Sequence, residues 1–252
     1  MKLDVILYPG LLPEQFEGAL CAVIDVLRAT TTIITALASG VSRICPCVNA
    51  EEARRRAKSI EDGLYLLGGE ERGRRISGFH LGNSPLEYLD SNRIANRVVL
   101  FSTTNGTPAV KRAYLGSGLP VYLLALINLS AASSILVKSI LDKSLREVLL
   151  VCAGGNGRPS LEDFFCAGLA VQRVRHCLLK VGISPDLSDC ATIALRFAMA
   201  NVGSPSEVLS IGEHGRYLRR IGFAADLEFA SQIDKYQIVP VFDGDFIVTS
   251  KE

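Results

Sequence analysis

The chain has 252 residues, with 27 Lys and Arg against 26 Asp and Glu. This near-neutral balance creates no overall field that would attract nucleic acid or an anionic membrane, so we expect neither as a partner. A chain of this length buries enough surface to fold without disulfides. Its seven cysteines, several of them inside apolar runs, indicate free thiols and a cytoplasmic protein. We expect no leader peptide, because the N-terminus carries Asp4 and Glu14 and has no basic region followed by a long apolar core. We expect no membrane span, because Gly, Pro and Asn interrupt the uncharged stretch 113–137.

Apolar runs that alternate with helical patterns predict an α/β fold with a largely buried sheet. Strands are predicted at residues 3–8, 20–25, 43–48, 63–67, 97–101, 121–126, 147–151 and 237–242, with an edge strand at 246–249. Helices are predicted from about Pro108 into the uncharged stretch 113–137, and again from a second helix start within that stretch. Further helices are predicted at 30–39, from the Asn49 cap to 61, and at 161–182, 186–201, 206–211 and 215–221. Residues 68–85 are predicted to be a structureless loop. Residues 1–252 form one domain, or two closely packed lobes that meet near 128–146.

The second predicted strand ends in an unusual polar segment. Asp25 closes the apolar run, Arg28 follows, and Thr30, Thr31 and Thr32 open a helix. Ligands of α/β sheets bind at the carboxyl ends of strands, and a guanidinium beside helix N–H groups favours an anion. Asp25 is the one negative group in this segment, so a bound divalent metal ion would explain it.

Two further predicted strands also end in a polar turn that leads into a helix. We call each of these three strand-to-helix turns an elbow. The elbow after residue 101 contains Thr103, Thr104, Asn105, Gly106 and Thr107, and the elbow after residue 151 contains Gly154 and Gly155. One such elbow is explained by ordinary helix capping. Three of them in one chain indicate a shared anion site.

Carboxylates near these elbows predict a magnesium site. The candidate ligands are Asp25, Glu70, Glu162 and Asp163, and Arg28 and Arg72 are candidates for binding phosphate. Mg²⁺ prefers a few carboxylates together with water and substrate oxygens, and it lowers the pKa of an attacking water. The nucleotide-binding loops G-x-x-x-x-G-K-[ST] and G-x-G-x-x-G are not found in a suitable context, which disfavours binding of ATP or NAD.

Two alternatives stay open on the residues alone. Cys152 and Arg158 have the C-x5-R spacing of cysteine-dependent phosphatases, in which a thiolate attacks phosphorus. Val151 and Pro159 depart from the usual residues around that motif. The other alternative is a protein that binds a phosphorylated metabolite without turnover. His214 is predicted to be a surface or capping residue.

Taken together, the motifs resemble the 2-phosphosulfolactate phosphatases of the coenzyme M pathway. The matching segments are residues 24–32, 67–70, 78–85, 103–107, 152–154 and 161–163. The resemblance implies a three-layer α/β/α fold with a mixed sheet, and Mg²⁺-dependent hydrolysis of 2-phospho-3-sulfolactate to 3-sulfolactate and phosphate. The substrate is thus expected to be a small phosphorylated sulfonate or hydroxy acid. Whether the protein forms a homodimer is left open.

The resemblance also carries a set of site residues to this chain. They are Asp25, Arg28, Glu70, Asn83, Thr104, Asn105, Gly106 and Asp163, of which Asp25, Arg28 and Asp163 are the expected catalytic groups. His80 departs from the family pattern, where we expect Asp. This change bears on activity or its pH optimum if the Asp of relatives binds metal or sets a pKa. Arg158 also departs from that pattern, which disfavours the cysteine mechanism.

Overall fold

The structure, a computed structural model, describes residues 1–14 and 16–250. Its strands are β1 (Lys2–Ile6), β2 (Leu20–Ile24), β3 (Arg43–Cys47), β4 (Tyr65–Glu71), β5 (Arg74–Arg75), β6 (Val98–Ser102), β7 (Val121–Leu124), β8 (Glu147–Cys152), β9 (Asp186–Leu187), β10 (Pro240–Phe242) and β11 (Ile247–Thr249). Its helices are α1 (Ala29–Ala38), α2 (Ala50–Ala57), α3 (Ser91–Ile94), α4 (Gly106–Ser117), α5 (Leu129–Lys143), α6 (Leu161–Lys180), α7 (Asp189–Asn201), α8 (Pro205–Ile211), α9 (Glu213–Arg220) and α10 (Ala224–Ala230). Short 3-10 helices lie at Pro9–Leu11, Pro85–Tyr88 and Leu126–Asn128.

The strands form one mixed sheet in the order β5-β4-β6-β3-β11-β10-β7-β2-β8-β1-β9. Strands β4, β6 and β3 are parallel to one another, and so are β7, β2, β8, β1 and β9. The β10–β11 hairpin lies between these two sets and pairs antiparallel with both. The predicted mixed sheet is confirmed. The predicted edge position of residues 246–249 is wrong, because β11 pairs on both sides in the middle of the sheet.

The two parallel sets run in opposite directions, because three successive antiparallel pairings separate β3 from β7. In a flat sheet their carboxyl ends would lie at opposite edges. Here they meet: a Cβ atom added to Gly106, after β6, would lie 2.4 Å from Ala29 Cβ and 2.7 Å from Asp25 Oδ2, after β2. Five strand-to-strand steps separate β6 from β2. The usual twist of about 20–25° per step turns one set by roughly 100–125° relative to the other, which accounts for the convergence.

Strand β2 shows why the sheet is buried on both faces. Leu20, Ala22 and Ile24 point into one hydrophobic core, and Cys21 and Val23 point into the other. Residues of α5, α6, α7 and α8 complete the first core, and residues of α1 and α4 complete the second. The predicted three-layer α/β/α fold is therefore confirmed. The segment 128–146, near which a lobe boundary was predicted, contains α5, which packs in the first core.

A β-hairpin forms the first part of the segment that was predicted to be a structureless loop. Strand β4 continues to Glu71, and β5 returns from Arg74. The two turn residues, Arg72 (φ 51°) and Gly73 (φ 73°), are both left-handed, as a type I′ hairpin turn requires. Arg is an uncommon residue at the first of these positions, so the sequence carries only a weak turn signal.

Most predicted helix bounds lie within three residues of the observed ones. Asn49 Oδ1 accepts the Glu52 N–H at 2.8 Å, which confirms the predicted cap. The helix after it is shorter than predicted and ends at Ala57. Helices α3 and α10 were not predicted. Across residues 1–14 and 16–250, no helix is both long enough and apolar enough to cross a bilayer.

Candidate active site

A cavity of about 1060 Å³ lies where the carboxyl ends of the two strand sets converge. Its lining comes chiefly from the segments that follow β2, β6 and β8, from the β4–β5 turn, and from α9. The lining arginines are Arg28, Arg72, Arg158, Arg216 and Arg220, and the lining carboxylates are Asp25, Glu70, Glu162 and Glu213. A cavity that is lined by both positive and negative side chains suits an anionic ligand that is bound together with a cation.

Asp25 lies at the end of β2 and is fixed by the start of α1. Its Oδ1 accepts the Ala29 N–H at 3.1 Å. Thr30 Oγ1 accepts the Asp25 N–H at 3.0 Å and donates to the Asp25 carbonyl at 2.8 Å. The second carboxylate oxygen, Oδ2, lies beside Gly106, where the lack of a side chain permits the close approach. Asp25 is thus held in place through one oxygen, and the other oxygen stays available.

The hydroxyl groups that follow Asp25 are used inside the fold. Thr31 Oγ1 donates to the Val26 carbonyl at 2.8 Å, and Thr32 Oγ1 donates to the Asn83 carbonyl at 2.9 Å. Both threonines are buried. Together with Thr30, they fix the elbow after β2 and attach the loop of Asn83 to it.

The elbow after β6 is closed by a reciprocal pair of hydrogen bonds. The Thr107 N–H donates to Thr103 Oγ1 at 3.0 Å, and the Thr103 N–H donates to Thr107 Oγ1 at 3.1 Å. Thr104 and Asn105 lie between them and line the cavity. Of the five residues predicted here for the anion site, Thr104 and Asn105 thus line the cavity and Thr103 and Thr107 hold the turn. The fifth, Gly106, lies beside Asp25 Oδ2.

Asp163 joins two elbows through its carboxylate. Its Oδ1 accepts the Val26 N–H at 2.8 Å, and its Oδ2 accepts the Gly154 N–H at 3.1 Å. Burial and the neighbouring carboxylates of Asp25 and Glu162 raise the pKa of Asp163 well above its ordinary value, while the two N–H donors lower it. Asp163 therefore acts as a link between the segments after β2 and β8.

Glu70 makes an equivalent link on the other strand set. Its Oε1 accepts the Thr104 N–H at 2.8 Å, and its Oε2 accepts the Gly73 N–H at 2.6 Å. These bonds attach the β4–β5 turn to the elbow after β6. Glu70 and Asp163 share one arrangement: each carboxylate uses both oxygens to hold backbone N–H groups of two different loops.

Arg28 is buried and held on three sides. Its Nη1 donates to Asp226 Oδ2 at 2.8 Å, and its Nη2 donates to the Gly73 carbonyl at 2.6 Å. The Phe223 ring centroid lies 4.3 Å from its Cζ. Among the described residues, Arg28 Nε and Asn83 Oδ1 are buried polar atoms without a hydrogen-bond partner. Both residues line the cavity, so these atoms are available to a ligand.

The carboxylates of Asp25 and Glu162 fit a divalent cation. Burial, together with the charges of Glu70 and Glu162, raises the pKa of Asp25 to about 7, and burial raises the pKa of Glu162. Glu162 Oε2 is buried and has no hydrogen-bond partner within the described chain. In residues 1–14 and 16–250, no three His, Cys, Asp or Glu side chains converge tightly enough to hold one ion alone. Two carboxylates, with water and substrate oxygens, match the preference of Mg²⁺.

The four predicted metal ligands thus separate into two pairs. Asp25 Oδ2 and Glu162 Oε2 are free to bind a cation, whereas Glu70 and Asp163 hold backbone groups with both oxygens. The sequence alone contains no signal for this division, because it depends on which N–H groups of distant loops reach each carboxylate.

Cys152 lies in the hydrophobic core at the end of β8, and its side chain is fully buried. Burial raises the pKa of its thiol well above the ordinary value, so the thiolate is disfavoured. Arg158, the other residue of the C-x5-R spacing, lies on the exposed rim of the cavity. This geometry does not favour a nucleophilic Cys152.

Helix α9 contributes a wall of the cavity that the sequence analysis missed. His214, Arg216, Tyr217 and Arg220 all line it. Burial and the nearby Arg28 lower the pKa of His214, which was predicted to be a surface or capping residue. Tyr217 Oη donates to the Arg72 carbonyl at 2.8 Å and so connects α9 to the β4–β5 turn. In the sequence, the polar residues at positions 213, 216, 217 and 220 form one face of the helix. Such a face usually contacts solvent and not a ligand, so it gives no signal for a binding site.

His80, where the resemblance predicts Asp, has a local structural role. Its Nδ1 accepts the Leu67 N–H at 2.9 Å, and its ring packs edge-on against Tyr65 with centroids 6.1 Å apart. A carboxylate could accept the same N–H group. The residue at position 80 therefore fixes β4, the first strand of the hairpin, through the Leu67 N–H.

The fold and the site define an α/β protein with a charged ligand cavity at converging strand ends. The family model described as 2-phosphosulpholactate phosphatase matches residues 6–245. A protein of Symbiobacterium thermophilum named probable 2-phosphosulfolactate phosphatase is 38% identical over 233 residues, which is 91% of this chain and 93% of that protein. Proteins with the same name from Thermotoga petrophila (37% identical, 97% of each chain) and Deinococcus radiodurans (36% identical, 91% of this chain and 90% of that protein) are also similar. The chain belongs to the 2-phosphosulpholactate phosphatase family, which places it among the phosphatases.

Proposed function

We propose that this protein is a Mg²⁺-dependent phosphatase that hydrolyses 2-phospho-3-sulfolactate to 3-sulfolactate and inorganic phosphate. One cavity contains two available carboxylate oxygens, Asp25 Oδ2 and Glu162 Oε2, together with several arginines. This combination is the observation that supports the proposal most directly. The names of the relatives supply the substrate.

Asp25 and Glu162 would hold the magnesium ion. When it is bound, Mg²⁺ neutralises charge on the phosphoryl group and lowers the pKa of an attacking water. Hydrolysis of phosphate monoesters is extremely slow without a catalyst, so charge stabilisation and positioning have to supply most of the rate enhancement.

The other residues of the site bind and orient the substrate. Arg28 Nε and Asn83 Oδ1 are buried polar atoms without a hydrogen-bond partner in the described chain, and both residues line the cavity. Glu70 and Asp163 hold the elbows that carry Thr104, Asn105 and Gly155. Because these links are made in the protein itself, the site is organised before substrate binds, which reduces the ordering cost during the reaction.

The test is phosphate release from 2-phospho-3-sulfolactate with Mg²⁺, after full chelation by EDTA, and after Mg²⁺ is added back. We expect activity to disappear on chelation and to return with Mg²⁺. Asp25→Asn should abolish turnover while the circular dichroism spectrum stays that of the wild type. Cys152→Ser should retain activity. Phosphate release that survives chelation and is lost in Cys152→Ser would overturn the metal mechanism.

A wider screen identifies the substrate class. Phosphate release should be compared across small phosphomonoesters with and without Mg²⁺, and we expect 2-phospho-3-sulfolactate to give the highest kcat/KM. A cytoplasmic location and a role in coenzyme M synthesis are part of the same proposal. The free state of all seven cysteines supports a reducing compartment.

A further inference from the structure

The cavity has room and charge for more than a phosphoryl group. Its volume of about 1060 Å³ is slightly above the roughly 300–1,000 Å³ that ligand pockets occupy. Two of its arginines, Arg216 and Arg220, belong to α9, which follows none of the strand ends that carry the elbows and the carboxylates. This wall therefore needs an explanation separate from phosphate binding at the elbows.

Helix α9 starts beside the candidate metal ligand. A Cβ atom added to Gly212, the residue before the helix, would lie 2.8 Å from Glu162 Oε2. Arg216 and Arg220 come four and eight residues later, which places their backbones about 6 and 12 Å further along the helix axis. Arg216 thus lies about one turn, and Arg220 about two turns, along α9 from the end that is next to Glu162.

Each of the two arginine side chains makes a contact within the protein. Arg216 Nη1 donates to the carbonyl of Ile211, the last residue of α8. Arg220 Cζ lies 5.5 Å from the centroid of the Tyr217 ring, and Tyr217 is bonded to the β4–β5 turn through the Arg72 carbonyl. Both arginines are exposed and line the cavity, and each guanidinium is restrained by its contact with Ile211 or Tyr217. A restrained guanidinium loses less entropy when it binds an oxyanion.

Position on the helix separates these residues from an ordinary solvated face. Glu213, Arg216, Tyr217 and Arg220 have the spacing i, i+3, i+4 and i+7 and all line the cavity, whereas Gly215 and Leu218 are buried. Arg219 is exposed on the same helix and is not among the cavity-lining residues of the described chain. It provides a matched control.

We infer that Arg216 and Arg220 form a second anion subsite, which binds the acidic group that the substrate carries besides its phosphate. The chemical class of this group is a sulfonate or carboxylate, whose oxygens match the N–H donors of a guanidinium. The subsite makes the enzyme selective for phosphomonoesters that bear an additional acid. This inference rests on the proposed function for the phosphate end of the substrate.

Calorimetry and kinetics on Arg216→Gln, Arg220→Gln and Arg219→Gln test the subsite. Binding of 3-sulfolactate and of inorganic phosphate is titrated separately into each Mg²⁺-loaded protein. We expect the Kd for sulfolactate to rise about 10- to 100-fold in Arg216→Gln and at least several-fold in Arg220→Gln, as loss of a charged hydrogen bond implies. The Kd for phosphate should change less than about twofold, and Arg219→Gln should match the wild type for both ligands. In turnover, the defect should appear mainly in KM.

The outcomes separate this inference from the proposed function. Wild-type affinity of Arg216→Gln and Arg220→Gln for sulfolactate would overturn the subsite, and so would an equal loss of phosphate affinity. A wild-type protein that binds no sulfolactate would also overturn it. A wild-type protein that binds sulfolactate through these arginines but releases no phosphate from 2-phospho-3-sulfolactate would support the subsite and refute the proposed function.

Discussion

Arg28 Nη1 donates to Asp226 Oδ2 at 2.8 Å, and both side chains are only 2% exposed. Asp226 uses its other oxygen to accept the Ser84 hydroxyl at 2.6 Å. One carboxylate from α10 therefore holds both the arginine of the first elbow and the loop that contains Asn83. With Glu70 and Asp163, it is the third buried or half-buried carboxylate that joins two separate loops around the cavity.

Asp226→Asn should destabilise the protein strongly. Removing one partner of a buried ion pair leaves the other charge uncompensated, which costs about 3–5 kcal/mol. We expect a loss at the lower end, about 3 kcal/mol, because Asn can still accept one hydrogen bond. Urea denaturation measures the change. Glu147→Gln, which breaks an exposed pair with Lys2, is the control and should cost less than about 1 kcal/mol. Equal effects of the two substitutions would contradict the structural role of Asp226.

The strands and elbows could be predicted because their signals are local. Residues 20–24 are continuously apolar, and the structure buries β2 on both faces. The polar residues directly after it, such as Asp25, are bound to be near the carboxyl end of that strand whatever the rest of the chain does. In the same way, Thr104 and Asn105 follow β6, and both line the cavity.

The contribution of α9 and α10 could not be predicted, because it depends on pairings across the whole chain. Asp226 is 198 residues away from Arg28, and nothing around residue 226 distinguishes it from an exposed helical Asp. Arg216 and Arg220 follow the pattern of a solvated helix face. The central place of β11 was missed because strands of three residues carry little periodic signal, and their partners are set by tertiary contacts.

Asp163→Asn and Asp25→Asn should differ in stability although both should lower activity. The Asp163 carboxylate accepts two backbone N–H groups, and an amide can accept with only one oxygen, so one buried N–H loses its partner. This loss should cost about 1–3 kcal/mol. Asp25 accepts one N–H, which Asn can still accept. Thermal unfolding of the metal-free proteins measures both effects. A metal-free Asp163→Asn protein as stable as the wild type would show that the two links are not needed.

Stability without metal should fall as the pH rises from about 4 to 7. The pKa of Asp25 is raised from 3.8 to about 7 in the folded protein, and the pKa values of Glu162 and Asp163 are also raised. A group with a raised folded-state pKa contributes its full stability below the unfolded pKa and loses it as the pH passes the folded pKa. Mg²⁺ binds the deprotonated carboxylates, so we expect a larger Mg²⁺-induced rise in Tm at pH 8 than at pH 5.5.

Asp25→Asn is the control for this pH dependence. The substitution removes one charge that burial disfavours, so the metal-free variant should lose less stability than the wild type between pH 4 and 7. Its Mg²⁺-induced rise in Tm at pH 8 should also be smaller. An Mg²⁺ effect that is the same at both pH values, or unchanged in Asp25→Asn, would remove Asp25 from the metal site.

Gly106→Ala should damage the site through a single methyl group. The added Cβ would lie 2.4 Å from Ala29 Cβ and 2.7 Å from Asp25 Oδ2, so the two converging elbows would have to move apart. We expect a loss of about 1–3 kcal/mol in stability, as for other overpacked positions, and a fall in kcat larger than the change in KM, because Asp25 is displaced from its position. Gly203→Ala is the control, since a Cβ there meets no atom of the described chain within 4 Å. Urea denaturation and steady-state phosphate release measure both variants. Wild-type stability and kcat in Gly106→Ala would show that the close approach of the two elbows is not required.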